Sequence, residues 1–438
     1  MNVDELNTAA KKLRRALSDQ ALCDLGYATG FMQRKRKLLP SWLAASVICT
    51  LATQKVEWIA DLLRGFNAMT RESVQYKPFH NQLAKKSFPR FMQAVFERLV
   101  EHLLVAVLEP VPETALSTFS DIILQDGSSF AIADSLAGQF PGRFRKISPA
   151  AIEVHATMSV FSDNAVRVSV APDSQGERDF LPCSEDLRGK LLLADRGYCG
   201  VEFAQELAKV GASFIIRFTK GINPTVKEVS IGGKRQRSLS MKKFKDIVGK
   251  LTGKSADLSV TWRRKGEAVE LRLLAIWNPL RKHHTLLVTN LKPEAFSMEA
   301  VGTLYRLRWQ VEHVFKDYKS YANLHGFCTG KAPIAEGLVW ASLAAAFLKR
   351  FLAHSAQMAF LEAETSTRRA ASALVHHLPK LIATLMGGRG VVAALRELLT
   401  FVNNNARRAH PDRDRKTGRL QTGLVPVHAS GAQVCVSS

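Results

Sequence analysis

Two short apolar runs in this 438-residue chain, 122–124 and 191–194, are each closed by an aspartate: Asp126 before Gly127, and Asp195 before Arg196 and Gly197. Runs of this length bounded by turn residues read as buried strands that end at a polar edge. Further on, residues 305–319 read YRLRWQVEHVFKDYK, with Tyr305, Arg308, Glu312 and Lys319 spaced by three, four and seven. At about 100° per residue, one continuous helix would place all four within an arc of roughly 60°. Leu304, Leu307, Val311, Val314 and Tyr318 gather on the adjoining side as a stripe to be buried. The fold must therefore bring two strand ends and one charged helix to a common edge.

Each piece alone has an ordinary reading. Asp-Gly is a common turn, and an exposed face of Tyr, Arg, Glu and Lys also describes a solvated helix with ion pairs four residues apart. Together they are more specific. Three carboxylates from separate elements, Asp126, Asp195 and Glu312, can converge on the hard oxygen site that Mg2+ prefers. Arg308 and Lys319 suit phosphate oxygens, and Tyr305 adds a hydrogen bond.

On these residues the chain resembles the DDE transposases of the insertion sequence 4 family. Their signatures are an aspartate after the first core strand, an aspartate in an ADRGY-like segment, and a helix reading Y-x2-R-x3-E-x6-K. The likeness runs from Asp121 to Gly330. It implies an α/β fold: a ribonuclease-H-like catalytic core interrupted by a β-rich insertion and flanked by helical N- and C-terminal regions. It implies Asp126, Asp195 and Glu312 as catalytic, metal-binding residues holding two Mg2+ ions about 4 Å apart, with Mn2+ expected to substitute. Tyr305, Arg308 and Lys319 would bind DNA phosphate. The implied reaction is phosphodiester hydrolysis and strand transfer that excise and insert a DNA element. The partners would be double-stranded DNA (terminal repeats and target) and a second copy of the chain in the DNA complex, in the bacterial cytoplasm at the nucleoid. Two alternatives stay open: a ribonuclease-H-like nuclease without strand transfer, and a non-catalytic regulatory DNA-binding protein.

Composition agrees. Sixty-one Lys and Arg against 39 Asp and Glu give a net charge of +22, which favours a polyanion, nucleic acid before anionic membrane. No run of 18 apolar residues occurs; the longest candidate, 337–348, stops at Lys349 and Arg350 and suits a buried helix. The N-terminus lacks the apolar core of a signal peptide. Six cysteines without a CxxC pair indicate neither a zinc site nor a disulfide framework.

Residues 1–118 read as helical and, by resemblance, as the DNA-end-binding region. Arg34, Lys35, Arg36, Lys37 and the segment 85–90 are candidate phosphate contacts there. The core is expected at 119–219 and 285–330. Between its parts, residues 220–284 hold 16 Lys and Arg against five Asp and Glu. Alternation at Leu258, Val260, Trp262 and again at Val269, Leu271, Leu273 predicts a β-hairpin with a basic tip at Arg263, Arg264 and Lys265, placed to clamp DNA. Residues 331–402 read as helical, and 403–438 as a basic, disordered tail. One departure from the family is the tryptophan expected just before the strand 286–289, where Thr285 stands; Trp277, His283 or His284 are the candidate substitutes for base stacking.

Overall fold

The computed structural model describes every residue except 35–37, 71, 220, 265–266, 325–326, 361–363, 411–421 and 428–438. Six helices come first: α1 (Val3–Leu17), α2 (Asp19–Ala28), α3 (Pro40–Thr53), α4 (Ile59–Thr70), α5 (Tyr76–Leu83) and α6 (Phe88–Leu103). Their ends follow ordinary capping rules. Asn2 accepts from the amides of Asp4 and Glu5, Ser18 closes α1 and caps α2, and Pro40 opens α3.

Strands follow: β1 (Leu108–Pro110), β2 (Ile122–Ala131), β3 (Ala151–Ser159), β4 (Asn164–Pro172) and β5 (Leu191–Ala194), then helix α7 (Val201–Lys209) and strand β6 (Ser213–Arg217). The strand order β4-β3-β2-β5-β6, with β2, β5 and β6 parallel and β3 antiparallel to both neighbours, is the ribonuclease-H-like arrangement. It leaves the end of β5 beside the middle of β2: β2 runs on through Asp126 and Gly127 to Ala131, paired with β3 throughout, which corrects the expectation that the first strand ends at Asp126.

Residues 225–289 add β7 (Thr225–Ile231), β8 (Lys234–Arg235), β9 (Lys242–Lys243), the short helix α8 (Phe244–Ile247), β10 (Ala256–Arg264), β11 (Glu267–Asn278) and β12 (His283–Thr289). The alternation in sequence sets the hairpin register: Leu258 pairs with Leu273, Val260 with Leu271 and Trp262 with Val269. These strands do not form a separate layer. β12 pairs with β11 on one side and antiparallel to β6 on the other, so one sheet of 11 strands runs through both.

The charged helix of the sequence is two helices. α9 (Met298–Arg306) and α10 (Trp309–Tyr321) meet at Leu307 and Arg308. Both junction residues keep right-handed helical dihedrals, but amides there bond three residues back: Leu307 to Leu304, Arg308 to Tyr305, Gln310 to Leu307 and Val311 to Arg308. A tightened turn, rather than a kinked chain, separates Tyr305 from Glu312, which corrects the expectation of one continuous helix. The stripe itself is buried: Leu304, Leu307, Val311, Val314 and Tyr318 are each at most 3% exposed.

α11 (Ala332–Ala359) is the axis of the helical part, packed by α3, α6 and α14. Among the described residues it is the one helix long and apolar enough to cross a membrane, but 83% of its most apolar window is buried inside the protein. Its two basic residues are buried with partners: Arg350 pairs with Asp163 and Asp317 at 2.9 Å each, and Lys349 donates to the carbonyl of Tyr321. α12 (Thr367–Ala373), α13 (Leu378–Gly387) and α14 (Val391–Asn405) close the bundle. The last segment, expected to be disordered from 403, is ordered in two places. α14 runs to Asn405, and β13 (Leu424–Pro426) pairs antiparallel with β1, held by the fully buried Leu424.

The sheet separates two apolar cores. Ile122, Leu124, Leu193 and Leu274 face the helical bundle; Ile123, Leu192, Phe214 and Leu273 face α7 and the strands of 225–289. Strand alternation continues each set to its polar end, so Asp126 (in step with Leu124) and Asp195 (in step with Leu193) both emerge on the bundle side, where α9 and α10 lie.

Candidate active site

Asp126 lies within β2, opposite Ala156, and is largely buried. Burial pushes its carboxyl up to about 6; the Arg308 charge and the Gly127 amide pull the other way, and the nearby charges of Asp195 and Glu312 push it further up. Asp126 thus feels the charges of both Asp195 and Glu312, carboxylates on elements up to 186 positions away in sequence.

Arg308 sits between two of them. Its guanidinium donates to Asp126 Oδ2 at 2.7 Å and to Glu312 Oε1 at 3.1 Å, with the residue only 7% exposed. Burial disfavours its charge, yet the field of Asp126, Tyr305, Asp195 and Glu312 holds its pKa above the ordinary value. Asp195 has a different environment. Its Oδ1 is buried without a hydrogen-bond partner, and the nearest cation is Arg217 Nη1 at 3.8 Å, beyond hydrogen-bond range.

Tyr305 is part-buried and donates to the carbonyl of Ala194, the residue before Asp195, at 3.4 Å; burial raises its pKa. Lys319, at the far end of α10, reaches the carbonyl of Ser129 at 3.3 Å, and partial burial lowers its pKa. Three of the four signature residues, Tyr305, Arg308 and Lys319, are therefore fastened to β2 or β5, and Glu312 is held through Arg308.

Among the described residues, no three His, Cys, Asp or Glu side chains stand close enough together to clasp a metal ion as they are. The donor set nevertheless fits a hard divalent cation. It consists of carboxylates, one of its oxygens is buried with no donor, and Asp126 and Glu312 already share one positive charge, the guanidinium of Arg308.

Sequence reasoning missed the layer on the opposite face of β2 and β3. Glu153 and His155 pair in register with Ser129 and Gly127, and both are nearly inaccessible. Glu153 is pushed up to about 7 by burial, against Arg143; His155 is pushed down to about 4 by burial and by Arg143. The His155 ring stacks on Phe180 at 3.9 Å, and neither of its nitrogens has a hydrogen-bond partner. A Cβ on Gly127 would stand 2.6 Å from Glu153 Oε1, so the glycine after Asp126 makes room for this layer and lies within a strand, not in a turn. Arg178 in turn ties down the segment after Asp195, donating to the carbonyls of Gly197 and Cys199. Nothing in composition or periodicity marks these residues.

Of the proposed stacking residues, Trp277 and its cross-strand partner His284 face away. Ile276 contacts Gly302 of α9, so Trp277, one step along β11, points to the other face, with its ring edge-on to His284. The exposed aromatic beside the site is Trp309, 58% exposed at the start of α10. Of the tentative basic contacts, Arg34 and Arg263 are exposed and Arg264 ends β10, whereas Lys35, Arg36, Lys37 and Lys265 lie outside the described residues. Lys85 turns inward to the carbonyl of Phe31.

Residues 117–348, just over half of the chain, match the family described as transposase DDE domain. The chain belongs to the DDE transposases. It is of the insertion sequence 4 type, similar along nearly its whole length to the transposase of element IS231C from Bacillus thuringiensis subsp. berliner (24% identity, 93% of each chain). It is also similar to that of IS1151 from Clostridium perfringens (21% identity, 89% of this chain and 90% of that one). A shorter stretch of 86 residues is 38% identical to the putative transposase InsL of IS186A from Escherichia coli K12, covering 20% of this chain and 22% of that one. Among solved structures, a piggyBac transposase synaptic complex with hairpin DNA superposes with a TM-score of 0.49 at 11% identity, over 90% of this chain and 84% of that one. DDE transposases break and rejoin DNA, and the family generally uses divalent metal ions.

Proposed function

We propose that this transposase cuts double-stranded DNA at the ends of an insertion sequence and joins the freed 3′ ends to target DNA, with Asp126, Asp195 and Glu312 as its catalytic carboxylates. The observation carrying this reading is the convergence of the three on one face of the sheet, with Arg308 bridging Asp126 and Glu312. Two Mg2+ ions, replaceable by Mn2+, would be held by these carboxylates and would supply an activated water or 3′-hydroxyl and a stabilised leaving oxygen.

The surrounding residues divide the remaining work. Arg308 balances two carboxylates in the site, and its planar fork is suited to a phosphate placed beside them. Tyr305, whose single hydroxyl proton goes to the Ala194 carbonyl here, would turn that proton to the same phosphate when DNA is bound. Lys319 stands at the opposite end of α10, spaced to hold the strand on the 5′ side of the break. Arg217 neutralises Asp195 from the neighbouring strand. Trp309 presents a ring on which an unpaired base can stack. The exposed cations of residues 225–264, among them Lys234, Lys242, Lys243 and Arg263, form the DNA-clamping surface, and the N-terminal helices with Arg34–Lys37 read the terminal repeats. Two copies act on two ends.

The test is Mg2+-dependent cleavage of DNA carrying the ends that flank this gene, wild type beside Glu312→Gln. Nicks at the element edges and joined products, both lost in the variant with end binding intact, support the reading. Cut ends without joined products point to a nuclease, and binding without cutting in Mg2+ or Mn2+ to a regulatory protein.

A further inference from the structure

Between β2 and β3 the chain forms a small hairpin tip over residues 140–151. Gly142 donates to the carbonyl of Pro149, Ala151 to that of Phe140, and the amides of Ile147 and Ser148 both bond to the carbonyl of Phe144. Gly142 is needed where the two arms cross, since a Cβ there would lie 2.0 Å from the Ser148 carbonyl oxygen. The base of the tip is fastened. The Asp173 carboxylate accepts from the Arg143 amide at 2.9 Å and from Ser129 Oγ at 2.5 Å, and the Arg143 guanidinium bonds Glu153. The apex is different. Phe144 is 66% exposed and Ile147 88% exposed, on either side of the exposed cations Arg145 and Lys146, and no acidic residue lies between 142 and 148.

A large apolar pair held out on a braced turn is costly in water unless a partner covers it. The two cations between the apolar side chains select a polyanion with an apolar interior that can open, which describes stacked bases behind a phosphate backbone. The tip is also coupled to the site. Ser129, three residues after Asp126, holds Asp173 through its hydroxyl and Lys319 through its carbonyl.

The geometry points to the 142–148 tip as a DNA wedge: Arg145 and Lys146 grip the backbone while Phe144 and Ile147 enter a base step and unstack it near the scissile phosphate. This rests on the transposase reading and adds a surface to it that lies outside the signature residues. It explains why the tip is braced from below, because a wedge transmits force only if its base does not yield.

The test uses the full chain in EDTA, so that DNA stays uncut, with a fluorescein-labelled duplex and the same duplex carrying an internal mismatch bubble. Phe144→Ala/Ile147→Ala should bind the intact duplex about tenfold more weakly, with little loss on the bubble, whose unstacking is already done. A 2-aminopurine placed in the duplex should brighten on binding of wild type and stay dark with the variant. Arg145→Ala/Lys146→Ala should instead flatten the log-log salt slope by about two. Phe144→Trp/Ile147→Leu, which keeps the apolar tip, should behave as wild type, separating wedge loss from misfolding. Equal affinity of Phe144→Ala/Ile147→Ala and wild type on both DNAs, or equal loss on both, overturns the wedge while leaving the transposase reading intact. Wild type binding neither DNA overturns that reading as well. Binding to phosphatidylserine vesicles that disappears in the alanine variant would give the tip to a membrane and overturn the assignment to DNA.

Discussion

Arg308 Nη1 meets Asp126 Oδ2 at 2.7 Å across 182 positions of sequence, while its other amino group holds Glu312 four residues on. A guanidinium thus occupies the point between the two carboxylates proposed as catalytic. If it stands in for a cation, removing it should cost stability only where no cation replaces it. Arg308→Ala is expected to lower metal-free stability by about 3 kcal/mol, as breaking a largely buried pair does. Thermal melts with and without Mg2+ check this: the deficit should shrink markedly with the metal, and a deficit of unchanged size would make Arg308 a plain structural ion.

The layer beneath Asp126 predicts a pH signature. The Glu153 carboxyl, raised to about 7, contributes stability that is full below about 4.5 and is lost as pH rises through 7. His155, lowered to about 4, contributes stability present above 6.5 and lost as pH falls through 4. Glu153→Gln should therefore remove the alkaline loss and raise stability at pH 8 by at most about 3 kcal/mol, leaving the acid side in place. Urea melts from pH 4 to pH 8 would show it.

Gly127→Ala tests the same layer by volume. Its Cβ would press on Glu153 Oε1 and on His155 Nδ1, at 2.6 and 3.1 Å, for a cost of about 1–2 kcal/mol. Glu153→Ala in the same chain should recover most of that loss, since neighbours that share a contact are not additive. A double-mutant cycle of thermal melts measures the coupling; strict additivity would show that the crowding is relieved elsewhere.

The bundle offers a paired control. A Cβ on Gly337 of α11 would come within 2.2 Å of the buried Phe88 ring, so Gly337→Ala should destabilise by about 1–3 kcal/mol. Gly387, at the end of α13, has nothing within 4 Å, and Gly387→Ala should instead gain about 0.5 kcal/mol from lost chain entropy. Differential scanning calorimetry of the two variants should move in opposite directions.

On the exposed strands of 225–264, replacing Lys242, Lys243 and Arg263 with Gln should lower the log-log salt slope of DNA binding by about one per contact removed. An unchanged slope in a filter-binding titration would take the DNA off that surface.

What could be read from sequence was whatever repeats within a few residues. The hairpin register of Leu258 with Leu273 follows from period-two alternation, and the buried stripe Leu304, Val311, Tyr318 from helical spacing. Membership of the transposases was legible, and local patterns singled out Asp126, Asp195 and Glu312 as candidates, although β2 does not stop at Asp126 as its apolar run implied. The break at Leu307 and Arg308 was not, because both residues keep helical dihedrals and only the bonding pattern tightens.

Other features depend on contacts between distant segments. The pairing of β12 with β6 makes one sheet of what reads as core and insertion, and Leu424 orders a strand in a stretch with a solvated composition. Glu153 and His155 look like any strand residues until β2 lies against them with Gly127 opposite. Sequence determined which groups can do the chemistry, since residue type and short-range period fix the strands and helices that carry them. Tertiary structure alone decided that Arg308 lies buried between Asp126 and Glu312, because desolvation and charge pairing arise only when residues far apart in the chain are packed together.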